Sequence, residues 1–258
     1  MPRQIENRAR RKLAAGEPVL APILGPNSLP DADHIERLGM LGLLDIAWIE
    51  MEHGPITWSQ LGDLSRVCDL VGITSMVRVN QNVPSIIGRT LDQGVQGIMV
   101  PHVDTAEEAR RIVEGARYAP LGERGVGTVR RSFGVENYYR DANDDILVVA
   151  MIEDVRAIAN LDEILAVDHI DCFFVAPSDL AQTMGEEYLW QPQHPEVQEL
   201  VLNTIRRVVA AGRTAGTVVD EKNVGSAVAA GARLLRFTIE PFIHAGLRAM
   251  QEAATAAL

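Results

Sequence analysis

Residues 146–180 read ILVVAMIEDVRAIANLDEILAVDHIDCFFVAPSDL. They hold two short apolar runs, Ile146–Ile152 and Ile170–Val175, and a carboxylate follows each, Glu153 and Asp179. The runs are rich in β-branched and aromatic side chains and do not alternate apolar with polar. Each therefore reads as a strand buried on both faces, the pattern of a parallel sheet. Working outward, similar runs recur at Pro18–Leu24, Leu44–Glu50, Thr74–Val79, Gly97–Val100, Thr214–Val219 and Ala232–Phe237. Helical stretches lie between them, among them Ile35–Met40, Trp58–Val71, Ala106–Ala116, Glu196–Ala211 and Val224–Ala230. Thr57 and Thr105 are expected N-caps, and Gly212 and Gly231 are expected C-terminal stops. Strands alternating with helices, with no linker and no low-complexity segment, predict an α/β fold, a (β/α)8 or TIM barrel. It is expected as one domain over residues 1–258, with residues 1–17 as an N-terminal helical arm. An open doubly wound sheet is the weaker reading, because no G-x-G-x-x-G follows the first strand.

Composition narrows the function. The 258 residues are 47% hydrophobic and carry a formal net charge of −11. That charge argues against a nucleic-acid surface. No apolar run reaches the ~18 residues of a membrane span, and the Arg-rich start has no apolar stretch behind it, so neither membrane nor secretion is expected. Cys68 and Cys172 form no CxxC and no zinc spacing, which favours a reducing cytoplasm. Basic residues are almost all arginine. The two lysines, Lys12 and Lys222, lie in the arm and in a polar turn, so Schiff-base chemistry is not expected.

In a barrel the active residues sit at the C-terminal ends of strands. That rule selects Glu50-Met51-Glu52-His53-Gly54, Arg78-Val79-Asn80, Glu153-Asp154 and Pro177-Ser178-Asp179. Glu153 and Asp179 are hard oxygen ligands suited to Mg²⁺ or Mn²⁺, with positions left open for a chelating substrate. As ordinary helix caps they would have no such role. His53 suits a general base; His102, after the fourth strand, is its competitor. Arg78 suits a substrate carboxylate or an enolate, or else an ion pair with Glu50 or Glu52. Gly122-Glu123-Arg124-Gly125-Val126-Gly127 lacks the GK[ST] ending of a phosphate loop, and the turns after the seventh and eighth strands are acidic. A phosphorylated substrate is disfavoured. Arg130 and Arg131 behind that loop read as anion contacts or as a solvated basic turn.

These motifs, in this order, resemble the HpcH/HpaI aldolase family. The resemblance is carried by Trp48–Gly54, Val77–Val79, Arg117–Gly127, Met151–Glu153, Phe174–Leu180 and Gln193–Val197, and it runs from about Pro18 onward. It implies a class II, metal-dependent aldolase of 2-oxo acids on a (β/α)8 barrel. It also implies a homo-oligomer, a hexamer, with the last helix exchanged between subunits, which would cover the apolar stretch Ala245–Leu258. By position, Glu153 and Asp179 match the ligands of a divalent metal (Mg²⁺, Mn²⁺ or Co²⁺). Arg78 matches the arginine that binds the oxo acid and its enolate, and His53 the base. Asp92 matches the carboxylate that partners this base, and the amides of Ser178 and Asp179 those that hold the substrate carboxylate. Three positions depart from the pattern. Glu50 replaces a usual Asp and is expected to crowd the rim. Met151 replaces a usual Gln at the substrate. Arg131 stands where small residues are usual, beside the substrate.

The expected function is cleavage or formation of 4-hydroxy-2-oxo acids, giving pyruvate or a similar oxo acid and an aldehyde through a metal-stabilised enolate. The alternatives are a citrate-lyase-β-like or malyl-CoA-lyase-like acyl-CoA lyase, and an oxo-acid-binding barrel that has lost turnover.

Overall fold

The computed structural model describes residues 6–23, 31–127 and 129–256. Among them the strands are β1 (Val19–Ile23), β2 (Ile46–Glu50), β3 (Thr74–Arg78), β4 (Gly97–Val100), β5 (Leu147–Ile152), β6 (Cys172–Val175), β7 (Ala215–Val218) and β8 (Ala232–Thr238). They pair in sequence order, all parallel, and β8 closes on β1 with Ala21 opposite Arg236. The (β/α)8 barrel is therefore the observed architecture.

The absence of alternation has its reason in two separate cores. Leu147, Val149 and Met151 of β5 point into the barrel, with Trp48, Met76, Met99, Phe174 and Leu234. Val148, Ala150 and Ile152 point outward and pack beneath the helices, with Ile112, Leu161 and Ile164. β2 to β6 serve both cores in this way and leave almost no position for a solvated residue, whereas β8 ends exposed at Thr238.

Several strands begin later than the apolar run suggests. β2 begins at Ile46 and β6 at Cys172 because an aspartate precedes each. Asp45 accepts the Leu20 N–H at 3.0 Å and Asp171 the Val148 N–H at 2.8 Å, each in place of a ladder partner. The helices Trp58–Val71, Ala106–Ala116 and Val224–Ala230 have the expected bounds. Gln60 accepts the Thr57 N–H at 2.9 Å, Thr105 accepts the Glu108 N–H at 3.2 Å, and Gly212 and Gly231 take positive φ past their helices. Met1–Ile5 of the expected arm, Leu24, Thr128 and Ala257–Leu258 lie outside the described residues.

One end of the barrel is closed. Helix Arg8–Ala14 lays Ala9 and Leu13 against the interior core at the N-terminal ends of the strands. Asn7 donates to the Gln96 carbonyl at 2.8 Å, and Lys12 Nζ is 2.9 Å from both oxygens of buried Asp45. The other end is left for the site. No described helix is long and apolar enough to cross a membrane.

Candidate active site

A cavity of 660 Å³ opens at the C-terminal ends of the strands. Its floor is apolar: Trp48, Met151 and Phe174, with Val218 at the side. Around it stand His53, Arg78, Ser178, Asp179 and Arg236, and Leu189, Trp190 and Pro192 form the outer wall. The barrel rule thus gathers the strand-end residues of β2, β3 and β6 in one place.

Glu50 organises the β2 end. It is 2% exposed and does not line the cavity. Its Oε1 accepts the N–H groups of Glu52 (2.8 Å) and His53 (3.3 Å), and its Oε2 accepts Trp48 Nε1–H (3.3 Å) and Arg78 Nε–H (2.7 Å). The expectation that Glu50 crowds the rim is corrected: its extra methylene lets the carboxylate fold back under its own loop. Gly54 completes that turn, since a Cβ there would lie 2.6 Å from the Glu50 carbonyl oxygen.

Arg78 is fixed from two sides. Its Nη2 lies 2.7 Å from Glu50 and its Nη1 3.0 Å from Glu52. The ion-pair reading and the cavity reading therefore both hold: two carboxylates aim a guanidinium that still faces the cavity. Burial pushes the Glu52 carboxyl above its ordinary pKa, and the Arg78 charge opposes that rise.

Glu153, just after β5, is buried. Its Oε1 accepts the His102 N–H at 2.7 Å, and the His102 Nδ1 is 3.4 Å away. His102 has φ +54°, a left-handed backbone that aims this N–H at the carboxylate. Burial lifts the Glu153 pKa to about 7, and the Asp179 charge adds to the rise. A desolvated carboxylate beside a second carboxylate is relieved by a hard cation between them, so the pair fits a divalent metal. Among the described residues no set of three His, Cys, Asp or Glu side chains surrounds one point.

Ser178 and Asp179 belong to the first turn of helix Pro177–Met184, whose N-terminus faces the cavity. Pro177 occupies the first position, where its lack of an N–H costs nothing. Met151 forms part of the floor.

Two expected residues are not brought here. Arg131 is buried at the opposite end of the barrel, 2.7 Å from Asp69 and 3.8 Å from Asp145. It is a core ion-pair residue of this chain, which corrects the substrate-contact reading, and Arg130 is likewise 2.9 Å from Asp69. Asp92 ends helix Pro84–Asp92 and pairs with Arg124 at 2.7 Å, away from His53 within this chain. His53 is 68% exposed, with Nε2 3.8 Å from Glu52. His102 is equally exposed and lies 3.4 Å from both Glu52 and Glu153, so it is a fuller member of the site than sequence alone suggested. Arg236 was missed altogether. Its signal was a charge inside the run Ala232–Phe237, at the inward parity set by Leu234.

The sequence model of the "HpcH/HpaI aldolase/citrate lyase" family matches residues 28–244. A 2-keto-3-deoxy-L-rhamnonate aldolase of Klebsiella pneumoniae is 34% identical over 245 residues, 93% of this chain and 90% of that protein. A hydroxypyruvate/pyruvate aldolase of Roseobacter denitrificans is 33% identical over 91% of each chain. The crystal structure of an HpcH/HpaI aldolase from Desulfitobacterium hafniense superposes with a TM-score of 0.82 at 30% identity, covering 94% of this chain and 96% of that one.

Proposed function

The chain belongs to the HpcH/HpaI aldolase/citrate lyase family, and from that premise we propose that it is a class II aldolase. It makes and breaks the bond between C3 of a 2-oxo acid, pyruvate or a close relative, and the carbonyl carbon of an aldehyde. The observation that carries this reading is that Arg78 and Asp179 line one cavity that neither lysine lines, with Glu153 near enough for the Asp179 charge to raise its pKa. Lys12 is held by Asp45 at the closed end.

Glu153 and Asp179 are the residues that would hold the cation. A divalent cation bound there would chelate the oxo acid and draw negative charge onto its 2-oxo oxygen. The chain's own groups do the rest. Arg78, held by Glu50 and Glu52, presents its remaining N–H groups to the oxygen on which the enolate charge develops. The amides of Ser178 and Asp179, at a helix N-terminus, hold the substrate carboxylate. His53 takes the proton of the 4-hydroxyl as the C3–C4 bond breaks; the bond's electron pair goes into the enolate and the aldehyde leaves. A proton delivered to C3 then releases the oxo acid. The Trp48–Met151–Phe174 floor keeps water from the enolate.

We further propose that residues 1–258 form one barrel domain, with residues 1–17 as its arm, working in the cytoplasm as a homo-oligomer, a hexamer. The last helix, Glu240–Ala256, has no buried residue and exposes Phe242, Ile243, Leu247 and Met250, so exchange onto a second copy would cover it.

The test is pyruvate release from 4-hydroxy-2-oxo acids. Chelation should abolish it, and Mg²⁺, Mn²⁺ or Co²⁺ should restore it. Borohydride with pyruvate should leave no adduct on Lys12 or Lys222. Full turnover after exhaustive chelation, or a reduced adduct, would sink the proposal. Oxo-acid binding without release would point to the turnover-deficient barrel, and malyl-CoA cleavage to the acyl-CoA lyase.

A further inference from the structure

The fold spends its buried arginines with care. Arg117 reaches the Asn143, Ile146 and His169 carbonyls and the Asp171 carboxylate. Arg131 holds Asp69 and Asp145. Arg213 caps three carbonyls, those of Leu165, Val167 and Ile170. Arg78 is taken by Glu50 and Glu52. Arg236 is different. It projects from β8 into the cavity; among the described residues its buried Nε has no hydrogen-bond partner, as is true of two nitrogens of Arg124, but whereas Arg124 pairs with Asp92, the Arg236 guanidinium makes no ion pair. Among the described residues its specific contact is with the Trp48 ring, 5.4 Å from the centroid, which steadies the head of the side chain over the cavity floor. Burial and the like charge of Arg78 pull its pKa down to about 10, so it stays cationic at neutral pH.

A desolvated cation without a paired carboxylate is costly: the charges of Glu50, Asp179 and Glu240 oppose that cost only in part, and no described residue forms an ion pair with it. A planar fork of five N–H donors facing a substrate cavity matches one ligand group above others, a carboxylate. The oxo-acid carboxylate already has the Ser178–Asp179 helix end, and Arg78 is committed to the enolate oxygen. We propose that Arg236 is a specificity-determining residue that binds a second carboxylate of the substrate, so that the enzyme prefers a dicarboxylic reaction partner. This rests on the aldolase reading of the same cavity. The second carboxylate has two sources: the donor oxo acid, through its C3 substituent, and the acceptor aldehyde, through its far end.

Calorimetry with Mg²⁺ present distinguishes them. The donor arm compares 2-oxopentanedioate with 2-oxopentanoate. The acceptor arm compares 4-oxobutanoate with butanal on protein saturated with oxalate. A charge-assisted contact predicts roughly a tenfold to hundredfold preference for the carboxylate-bearing probe in one arm. Arg236→Met should erase that preference, and Arg236→Lys should recover part of it. Because Arg236 forms no ion pair with a described residue, Arg236→Met should leave the melting temperature equal or raised, which a structural arginine would not do. No preference in either arm, or an unchanged preference in Arg236→Met, would overturn the proposal. Exchange of the pyruvate C3 hydrogens with D2O, followed by NMR, reports on the aldolase reading separately. Exchange without a carboxylate preference sinks only the role of Arg236; a preference without exchange sinks only the aldolase.

Discussion

Arg78 bridges two carboxylates and still faces the cavity, and that triple duty makes it irreplaceable by lysine. An ammonium is a point charge and cannot span Glu50 and Glu52 while reaching an enolate oxygen. Arg78→Lys should lower kcat/KM by about 2–4 kcal/mol, the scale of a lost oxyanion donor; unchanged kcat/KM would show that Arg78 only braces the rim. Asp145 gives a test on pH. Burial raises its carboxyl above the ordinary value, with Arg131 opposing. A carboxyl whose folded pKa is raised is favoured protonated, so its contribution to stability is lost as pH rises above the unfolded value. Asp145→Asn should therefore gain on the wild type as pH rises from 4 towards 7, read as the difference in Tm. A difference that is flat or opposite in sign would reject the burial argument. At this scale, Glu153, Asp179, His53 and Arg78 were legible because strand ends point to one rim. Arg131 was not, because no sequence spacing shows that Asp69 and Asp145 meet it across the closed end.

Elements fit together with little slack. Helices Pro84–Asp92 and Ala106–Ala116 cross where Gly115 has no side chain: a Cβ there would lie 2.7 Å from the Pro84 Cα and 2.8 Å from its carbonyl oxygen. Backbone cannot step aside as a flexible side chain can, so Gly115→Ala should cost about 1–3 kcal/mol, seen as a lower Tm. An unchanged Tm would mean that the two helices can slide apart freely. The caps at Thr57 and Thr105 were readable because a local hydrogen bond sets them. The late starts of β2 and β6 were not, because Asp45 and Asp171 act on neighbouring strands.

The whole molecule leaves an unfinished surface and a misplaced residue. The last helix exposes its apolar side chains, and Asp92 lies away from the His53 it resembles a partner for. The proposed oligomer would account for both if Asp92 of one copy served the cavity of another. Light scattering should show an oligomer. Mixing His53→Ala with Asp92→Ala protein under subunit exchange should restore part of the activity that each lacks. If both are inactive, exchange is verified and no activity returns, Asp92 acts within its own chain. The sequence by itself determined the barrel, since two-sided burial of eight strands writes non-alternating apolar runs, and it set His53, Arg78 and Asp179 at the strand ends around the cavity, though not Arg236. Only the tertiary structure decided how charge is shared there. Glu50 folds under its loop, Arg131 is consumed at the far end, and Arg236 stands over Trp48 without an ion pair to any described residue. Periodicity records which face of a strand is buried; which charge meets which depends on distances between strands that are remote in the chain.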